Sequence, residues 1–164
     1  MESTVKPNYQ IKWAELLHNA IPSGNMPFSI CDSRISSIEC NNHQVRFIFS
    51  NGYYVKQQQT ISKSTTGEIE FSNIATDEIH CYRLHREYGN KGAIIHGEPL
   101  SIEELSKLIN GNHLIELFTE LYDVHCVHWR GVLLPYSEST LSDHIIIEIN
   151  SPFTFKCFWK EKTD

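Results

Sequence analysis

The sequence lacks any segment that would place the protein in or across a membrane. Its length is 164 residues, and no apolar run approaches the roughly 20 residues that a bilayer-spanning helix needs. The opening stretch MESTVKPNYQIKWAELLHNA has no basic start followed by an apolar core, which is the pattern of a secretory signal. We therefore expect a cytoplasmic protein with no membrane partner.

The cysteines lack the number and spacing of a disulfide framework. Their count is five, which is odd, and no pair has the spacing CxxC. In a reducing cytosol, such residues are usually small apolar side chains that are buried or half-buried. The cysteines to which this prediction applies are Cys31, Cys40, Cys81, Cys126 and Cys157.

Every strong catalytic signature is also missing. The chain has no phosphate-binding loop, no G-x-G-x-x-G, no H-E-x-x-H and no G-x-S-x-G. No family-specific sequence surrounds Cys81 or Cys126, the cysteines that could pair with a histidine in a hydrolase. We therefore expect neither an enzyme nor a cofactor.

Positive charge is scarce in the middle of the chain. The formal net charge is −6, but residues 67–128 carry eleven acidic and four basic residues, giving −7. Residues 1–66 sum to +2 and residues 129–164 to −1. Direct binding of nucleic acid is disfavoured because phosphates attract the opposite sign. A cationic protein partner fits, and so does an ordinary solvated acidic surface.

What is present indicates one globular domain. Hydrophobic residues make up 40% of the chain, which is normal for a folded domain of this length. The stretch NYQIKWAELLHNAIPSG, residues 8–24, has an apolar stripe at helical spacing and ends in proline and glycine. We predict that residues 1–31 form an N-terminal helix and loop that pack on a sheet and helix core spanning residues 32–160.

Alternating apolar residues predict β-strands over most of that core. Asn51-Gly52 lies between two such runs, VRFIFS and YYVKQQQTI, and is a strong hairpin signal. Residues 34–61 are therefore predicted to form a three-stranded meander. HIIIEIN and FTFKCFWK flank Ser151-Pro152 and predict a C-terminal hairpin. Residues 77–88 favour a strand, and residues 90–99 read as a loop.

One helix is strongly predicted after this loop. In SIEELSKLINGN, Ser101 and Glu104 have the spacing of a capping box, and Gly111 is placed to end the helix. The next stretch, HLIELFTELYD, fits a second helix or a strand. Together the patterns predict an α+β fold with a mostly antiparallel sheet, comprising a meander and a C-terminal hairpin, and one or two packed helices.

Carboxylates cluster around the predicted helix. If HLIELFTELYD is helical, Glu116, Glu120 and Asp123 share one face. Such a face would speed association with a cationic partner, with Tyr122 as an anchor or as part of the core. The residues predicted to bind a partner are Glu103, Glu104, Glu116, Glu120, Tyr122 and Asp123.

The stretch DVHCVHW, residues 123–129, raises the question of a metal site. On a strand, Cys126 and His128 share one face, about 7 Å apart along the chain, while His125 points to the other. Zinc needs three or four converging ligands, so further ones would have to come from elsewhere. The candidates for these further ligands are His80, His85, His96 and Asp123.

The order of elements resembles the immunity proteins of contact-dependent growth inhibition and other bacterial polymorphic toxin systems. The resemblance covers residues 32–160, from DSRISSIECNNHQVRFIFSNGYYV through GEIEFSNIATDEIHCYRL and the helix to WRGVLL and IIIEINSPFTFKCFWK. It rests on the succession of meander, helix and hairpin and on the Gly52-Tyr53 turn.

This resemblance implies a cytoplasmic protein that binds a cognate toxin domain, often a nuclease, and covers its active site or substrate groove. Because nucleases bind nucleic acid, their active faces tend to be cationic, which suits an acidic partner. The alternative is a small metal- or thiol-dependent enzyme that uses the histidine- and cysteine-rich centre of the chain, with Cys126 and His128 as candidate metal ligands.

Overall fold

The computed structural model describes residues 5–12, 26–89, 92–123, 126–135, 143–150 and 154–163, with the backbone alone at residues 86–89 and 92–95. These residues form fourteen strands and one α-helix. The predicted α+β class with mostly antiparallel sheet is confirmed, since every strand pairing is antiparallel. None of the described helical residues builds a helix long and apolar enough to cross a membrane.

The elements follow one another along the chain as follows: β1 (Tyr9–Lys12), β2 (Phe28–Ser29), β3 (Arg34–Ile35), β4 (Ser37–Asn41), β5 (Gln44–Phe49), β6 (Tyr54–Gln57), β7 (Thr60–Lys63), β8 (Thr66–Ser72), a 3-10 turn (Thr76–Glu78), β9 (Ile79–Gly89), β10 (Gly92–Leu100), α1 (Ile102–Asn110), β11 (Leu114–Tyr122), β12 (Cys126–Leu134), β13 (His144–Asn150) and β14 (Thr154–Lys160).

The strands form two large sheets and one small one. The five-stranded sheet has the order β1-β14-β8-β5-β4, and the six-stranded sheet has the order β10-β9-β13-β12-β11-β3. The third sheet is β2-β6-β7. Because β3 and β4 are separated only by Ser36, the chain passes from one large sheet to the other at this corner.

The core lies between the two large sheets. Trp129 of β12 is fully buried, and its ring lies 5.0 Å from the ring of Phe47 and 5.7 Å from that of Phe71, both in the opposite sheet. Burial alternates along β5, β12 and β13, so each strand gives one face to the core. Phe28 of the small sheet packs on Phe155 and fills another side of the core.

The predicted capping box is present at the start of α1. The amide of Glu104 donates to the Ser101 hydroxyl at 3.0 Å, and the amide of Ser101 donates to the Glu104 carboxylate at 2.8 Å. The buried stripe of α1 comprises Ile102, Leu105 and Ile109, and the helix packs against β4 and β9. Helical spacing and cap chemistry therefore agree with the structure here.

The predicted meander over residues 34–61 is only partly present. Strands β4 and β5 pair, but β6 pairs with β2 and β7, and β8 takes the place beside β5. After the Asn51-Gly52 turn, Tyr53 enters the core, where it is fully buried and its hydroxyl donates to the Phe158 carbonyl at 2.8 Å. Burying this ring carries the chain out of the sheet that contains β5.

The predicted C-terminal hairpin is not formed. Strand β13 pairs with β9 and β12, whereas β14 pairs with β8 and β1. Both strands have an apolar face, and the two faces meet the core from opposite sheets. The predicted turn at Ser151-Pro152 lies outside the described residues.

Three further stretches of the chain are strands where the sequence predicted a helix or a loop or left the choice open. Tyr9–Lys12 is a strand on the edge of the five-stranded sheet, so a helix over residues 8–24 is wrong at its start, and residues 13–25 lie outside the described residues. Gly92–Leu100 is a strand rather than a loop, because it pairs along its whole length with β9. Leu114–Tyr122 is a strand, which answers the question left open by its sequence.

Candidate functional site

The predicted acidic face is divided because β11 is a strand that contains a β-bulge. The register with β12 shifts between Leu117 and Thr119. Before the bulge, Glu116 faces outward, and its carboxylate lies 2.8 Å from Nε of Arg34. After the bulge, Glu120 lies on the same face as buried Tyr122. Because this segment is a strand, Glu116, Glu120 and Asp123 do not share the face that a helix would have given them.

Glu120 joins β11 to the segment between β2 and β3. Its carboxylate accepts a hydrogen bond from the Ile30 amide at 2.6 Å. Burial raises the pKa of Glu120, opposed by the bonds from Ile30 and Ser29 and by the charge of Lys56. Tyr122, the predicted anchor, is 7% exposed. Both residues therefore contribute to the packing of the sandwich.

Replacing Glu120 by glutamine should change how stability depends on pH. The pKa of Glu120 is higher in the folded protein than in the unfolded chain. The free energy of unfolding of the wild type therefore increases as pH falls from the folded pKa to the unfolded pKa, and decreases as pH rises over the same range. Glutamine keeps an oxygen for the Ile30 amide and does not titrate. We expect the variant to be more stable than the wild type at pH 7, with a difference that shrinks towards pH 4.5. Denaturant melts at several pH values measure the free energy of unfolding of both proteins.

A second carboxyl variant separates this effect from a general loss of negative charge. Glu116→Gln removes a carboxylate from the outer face of the same strand, where it meets Arg34. We expect this control to show no gain in stability at pH 7, since it breaks an ion pair instead of relieving burial. Parallel curves for wild type and Glu120→Gln across this range of pH would contradict the assignment.

Exposed carboxylates gather where α1 begins. Glu103 and Glu104 occupy the first turn of α1, and Asp77 and Glu78 occupy the exposed 3-10 turn immediately before β9. Leu100, just before α1, pairs with Cys81 near the start of β9, so both turns lie at one end of the β9–β10 pair. We call these four residues the acidic end.

The carboxylates of the acidic end differ from those on the outer face of the five-stranded sheet, which lie beside basic side chains. On the outer face of the five-stranded sheet, Arg46 lies 2.9 Å from Glu70 and 3.7 Å from Glu68, and Lys156 lies 3.8 Å from Glu70. Within the part of the chain that the structure describes, no salt bridge involves a carboxylate of the acidic end. Its negative charge is therefore directed to solvent.

Helix α1 packs against β4 and β9, which places Glu103 in its first turn beside the gap between these strands. In keeping with this position, burial first, and then the charge of Glu103, raise the pKa of Cys40 on β4 and of Cys81 on β9. Strand β11 is three strand positions from β9, or about 14 Å. Glu103 and Glu104 are therefore not part of one patch with Glu116 and the exposed Asp123.

The sequence prediction named Glu103 and Glu104 but missed Asp77 and Glu78. Their signal was present in the stretch ATDEIH, where two adjacent acids directly precede a strand inside the segment of net charge −7. Their closeness to α1 could not be read from it, because it depends on the pairing of β9 with β10.

The outer face of the six-stranded sheet carries a row of histidine and glutamate. Glu148 of β13 is the cross-strand partner of His80 on β9 and of His128 on β12. Nδ1 of His128 lies 3.1 Å from the Glu148 carboxylate. Cys126 shares the outward side of β12 with His128, as predicted, while His125 lies outside the described residues.

As these side chains stand, no three histidine, cysteine, aspartate or glutamate residues of the described chain converge to hold a metal ion. The thiols are also poor nucleophiles. Burial is the first cause of a raised pKa in all five cysteines, and burial together with the charge of Glu103 raises the pKa of Cys81 to about 12. A thiol with a raised pKa stays protonated at neutral pH and reacts weakly.

A separate polar cluster fastens the β9–β10 pair to the start of β13. Arg83 lies 2.7 Å from the carboxylate of Asp143, and Nδ1 of His85 lies 3.0 Å from the same carboxylate. Nε2 of His85 lies 3.2 Å from Glu98. Each charge in this cluster has a partner of opposite sign or a histidine beside it, so we assign it to the fold.

Comparison of the chain with protein-family models, with curated proteins and with solved structures finds no match. Its function therefore has to be inferred from the residues and the geometry described above.

Proposed function

We propose that this protein is an immunity protein that neutralises a cognate toxin domain by binding it in the cytoplasm. The complex would block the active site or the substrate groove of the toxin, which we take to be a nuclease, and this chain would perform no chemistry. The observation that carries the proposal is the acidic end, where Asp77, Glu78, Glu103 and Glu104 are exposed without a described ion-pair partner. Of the features on which the resemblance to immunity proteins rests, the helix is present, the meander is partly formed and the C-terminal hairpin is not formed, so the proposal depends on the acidic end.

Electrostatics gives the acidic end a suitable role. A groove that binds nucleic acid is cationic because it must neutralise phosphates. Carboxylates that are not paired within their own protein attract such a groove and raise the association rate, most strongly at low ionic strength. Glu103 projects beside the gap between β4 and β9 and is the residue we place at the centre of the contact.

The alternative is a small metal- or thiol-dependent enzyme with Cys126 and His128 in its site. The observation in favour of this alternative is that both residues lie on the outer face of β12. The raised pKa values of the cysteine thiols favour the binding function, because a catalytic thiol needs a lowered pKa.

The experiment that tests the proposal begins with the toxin. The reading frame encoded directly upstream is expressed with and without this protein, and growth is measured. We expect rescue of the cells and a 1:1 complex by size-exclusion chromatography with light scattering. Absence of both rescue and complex would overturn the proposed function.

The acidic end is tested by reversing two of its charges. For Asp77→Lys/Glu103→Lys, we expect the association rate at low salt to fall by about tenfold or more and the difference to shrink at high salt. Stopped-flow or surface plasmon resonance measures both rates. These two positions leave the capping box at Ser101 and Glu104 intact, so the helix start is preserved.

A matched variant, Glu68→Lys/Glu161→Lys, changes the net charge equally at exposed or half-exposed carboxylates outside the acidic end. We expect it to associate much faster than the acidic-end variant. A third variant, Glu116→Lys/Asp123→Lys, tests the carboxylates first predicted on β11. If all three variants associate with the toxin at the same rate, the acidic end is not the binding surface, although rescue by the wild type would still support the proposed function.

A further inference from the structure

Strand β10 is the longest free edge in the part of the chain that the structure describes. It has nine residues, and within this part it pairs with β9 alone. The other edge strands are shorter, with two residues in β2 and β3 and four in β1 and β7, while β4 packs against α1. Proteins keep edge strands short or covered because their unpaired backbone groups attract other strands. Strand β10 is neither.

Pro99 indicates which backbone groups of β10 point away from β9. In an antiparallel ladder, alternate residues direct their N–H and C=O groups to opposite sides of the strand. Proline has no N–H, so within a sheet it occupies positions whose N–H would face solvent. The pairing of β10 with β9 shows no register shift. Ala93, Ile95 and Gly97, which alternate in step with Pro99, therefore present their backbone groups at the free edge.

The free edge is accessible and is held in place at its base. The pairing of β13 with β9 ends at Leu84, so the outer part of the β9–β10 pair extends beyond β13. Gly97 is exposed. At the base, the ring of His85 lies 3.0 Å from the carboxylate of Asp143 and 3.2 Å from that of Glu98. An edge fixed in this way loses little conformational freedom when another strand binds to it.

The sequence of the free edge suits a second copy of the same strand. A two-fold symmetric contact places a strand opposite itself in the antiparallel direction, so a charge near the centre would meet the same charge. Residues 92–97, GAIIHG, contain no lysine, arginine, aspartate or glutamate. By contrast, β1 and β7 end in Lys12 and Lys63, and lysine is a residue that opposes pairing at sheet edges.

We propose that two copies of this chain associate through β10, which pairs with β10 of the second copy in antiparallel orientation about a two-fold axis at Ile95. In this register Ile95 faces the same residue of the second copy, and Ala93 faces Gly97. All three residues then use both of their outward backbone groups, which gives about six hydrogen bonds. Pro99, which lacks a donor, falls outside the paired stretch. The six-stranded sheets of the two copies become one continuous sheet.

The acidic end does not oppose this association. It lies beyond Leu100, which is about 17 Å along the strand from Ile95. The acidic ends of two paired copies are therefore about 34 Å apart, whereas the Debye length at physiological salt is about 8 Å. Each acidic end also stays open, so the association does not rest on the proposed toxin binding and leaves one toxin site for each chain.

Sedimentation equilibrium and light scattering of the full chain test the association. The mass should increase from 19.0 kDa at low concentration towards twice that value. Because the interface is small, we expect a dissociation constant of about 1–100 μM. A mass that stays at one chain up to about 200 μM would overturn the proposal.

Two lysine substitutions form a matched pair. Ile95→Lys places like charges on both sides of the two-fold axis and should raise the dissociation constant at least about tenfold. Ile61→Lys changes the same residue type on β7, where Ile61 is 67% exposed, and should leave the constant unchanged. Far-ultraviolet circular dichroism verifies that both variants fold. Equal association of both variants and the wild type would mean that another surface joins the copies, and would overturn the role of β10.

Amide hydrogen exchange of the wild type provides a test that needs no variant. In a single chain, the amides of Ile94 and His96 point towards β9, whereas those of Ala93, Ile95 and Gly97 point to solvent. As concentration rises through the range of association, exchange at the three outward amides should slow at least about tenfold, while the two inward amides are protected throughout. Equal slowing at all five amides, or no slowing at the outward ones, would contradict pairing through this edge.

Discussion

Replacing Trp129 by alanine is expected to lower the free energy of unfolding by about 3–5 kcal/mol, the usual cost of truncating a large buried aromatic residue. Trp129 is fully buried and contacts the opposite sheet, where its ring lies 5.0 Å from that of Phe47 and 5.7 Å from that of Phe71. Removing the indole would leave a cavity between the two sheets, which the strands on either side cannot fill without moving.

Urea or guanidinium melts at constant pH measure this loss. Trp129→Phe is the informative partner variant, because phenylalanine keeps most of the ring volume. The indole Nε1 lies near the Tyr122 hydroxyl without a regular hydrogen bond to it, so Trp129→Phe removes at most this weak polar contact. Leu121→Ala controls for truncation at the surface, since Leu121 is 53% exposed, and should stay within about 0.5 kcal/mol of the wild type.

We therefore expect Trp129→Ala to be the least stable of the four proteins, below the wild type, Leu121→Ala and Trp129→Phe. If Trp129→Ala and Leu121→Ala lost equal free energy, the contact between the two sheets through this ring would be contradicted.

Replacing Gly52 by alanine should also destabilise the protein strongly, by more than about 3 kcal/mol, because backbone strain and a steric clash act together. Gly52 has a φ of +71°, a region that disfavours side chains with a Cβ. A Cβ at this position would also overlap with the backbone carbonyl of Ser64. Backbone atoms cannot move aside as the end of a flexible side chain can.

This turn also directs Tyr53 into the core. The Tyr53 amide donates to the Ser64 hydroxyl at 3.1 Å, and the Ser64 amide donates to the Tyr53 carbonyl at 2.9 Å. Moving Ser64 to admit a methyl group at Gly52 would disturb both bonds. The effect should therefore include a loss of the tertiary packing of Tyr53, visible in near-ultraviolet circular dichroism.

Gly97→Ala is the matched glycine control. Its φ does not lie in the left-handed region, and the nearest atom to an added Cβ is a methyl carbon of Leu84 at 3.3 Å, which can shift. We expect a change within about 0.5 kcal/mol of the wild type in chemical denaturation. If both glycine variants were equally stable, the close approach of Gly52 to Ser64 would be contradicted.

The bulge in β11 explains why its sequence was ambiguous between helix and strand. A regular strand buries every second residue, but the extra residue near Phe118 breaks this period. Ile115 and Leu117 are buried before the bulge and Tyr122 after it, whereas Leu121 is exposed, so the helix-like spacing of the leucines does not mark one buried face. The same bulge turns Glu120 from the outer face, where alternation from Glu116 would place it, towards the packed side.

The helix α1 shows the opposite case. Ser101 and Glu104 are local signals, and their hydrogen bonds connect residues three apart. The buried stripe of Ile102, Leu105 and Ile109 follows from helical geometry alone. Such features need no knowledge of the rest of the chain, so they could be predicted from the sequence.

The sequence by itself determined the antiparallel α+β class, the start of α1, the inward face of most strands and the excess of negative charge in the middle of the chain. Only the tertiary structure decided which strands are neighbours, and therefore that β13 and β14 lie in different sheets. It also decided that Glu103 lies beside the gap between β4 and β9, whereas Glu120 packs against Ile30. The physical reason is that alternation fixes the face of a strand, whereas its partner is fixed by burial against residues distant in sequence.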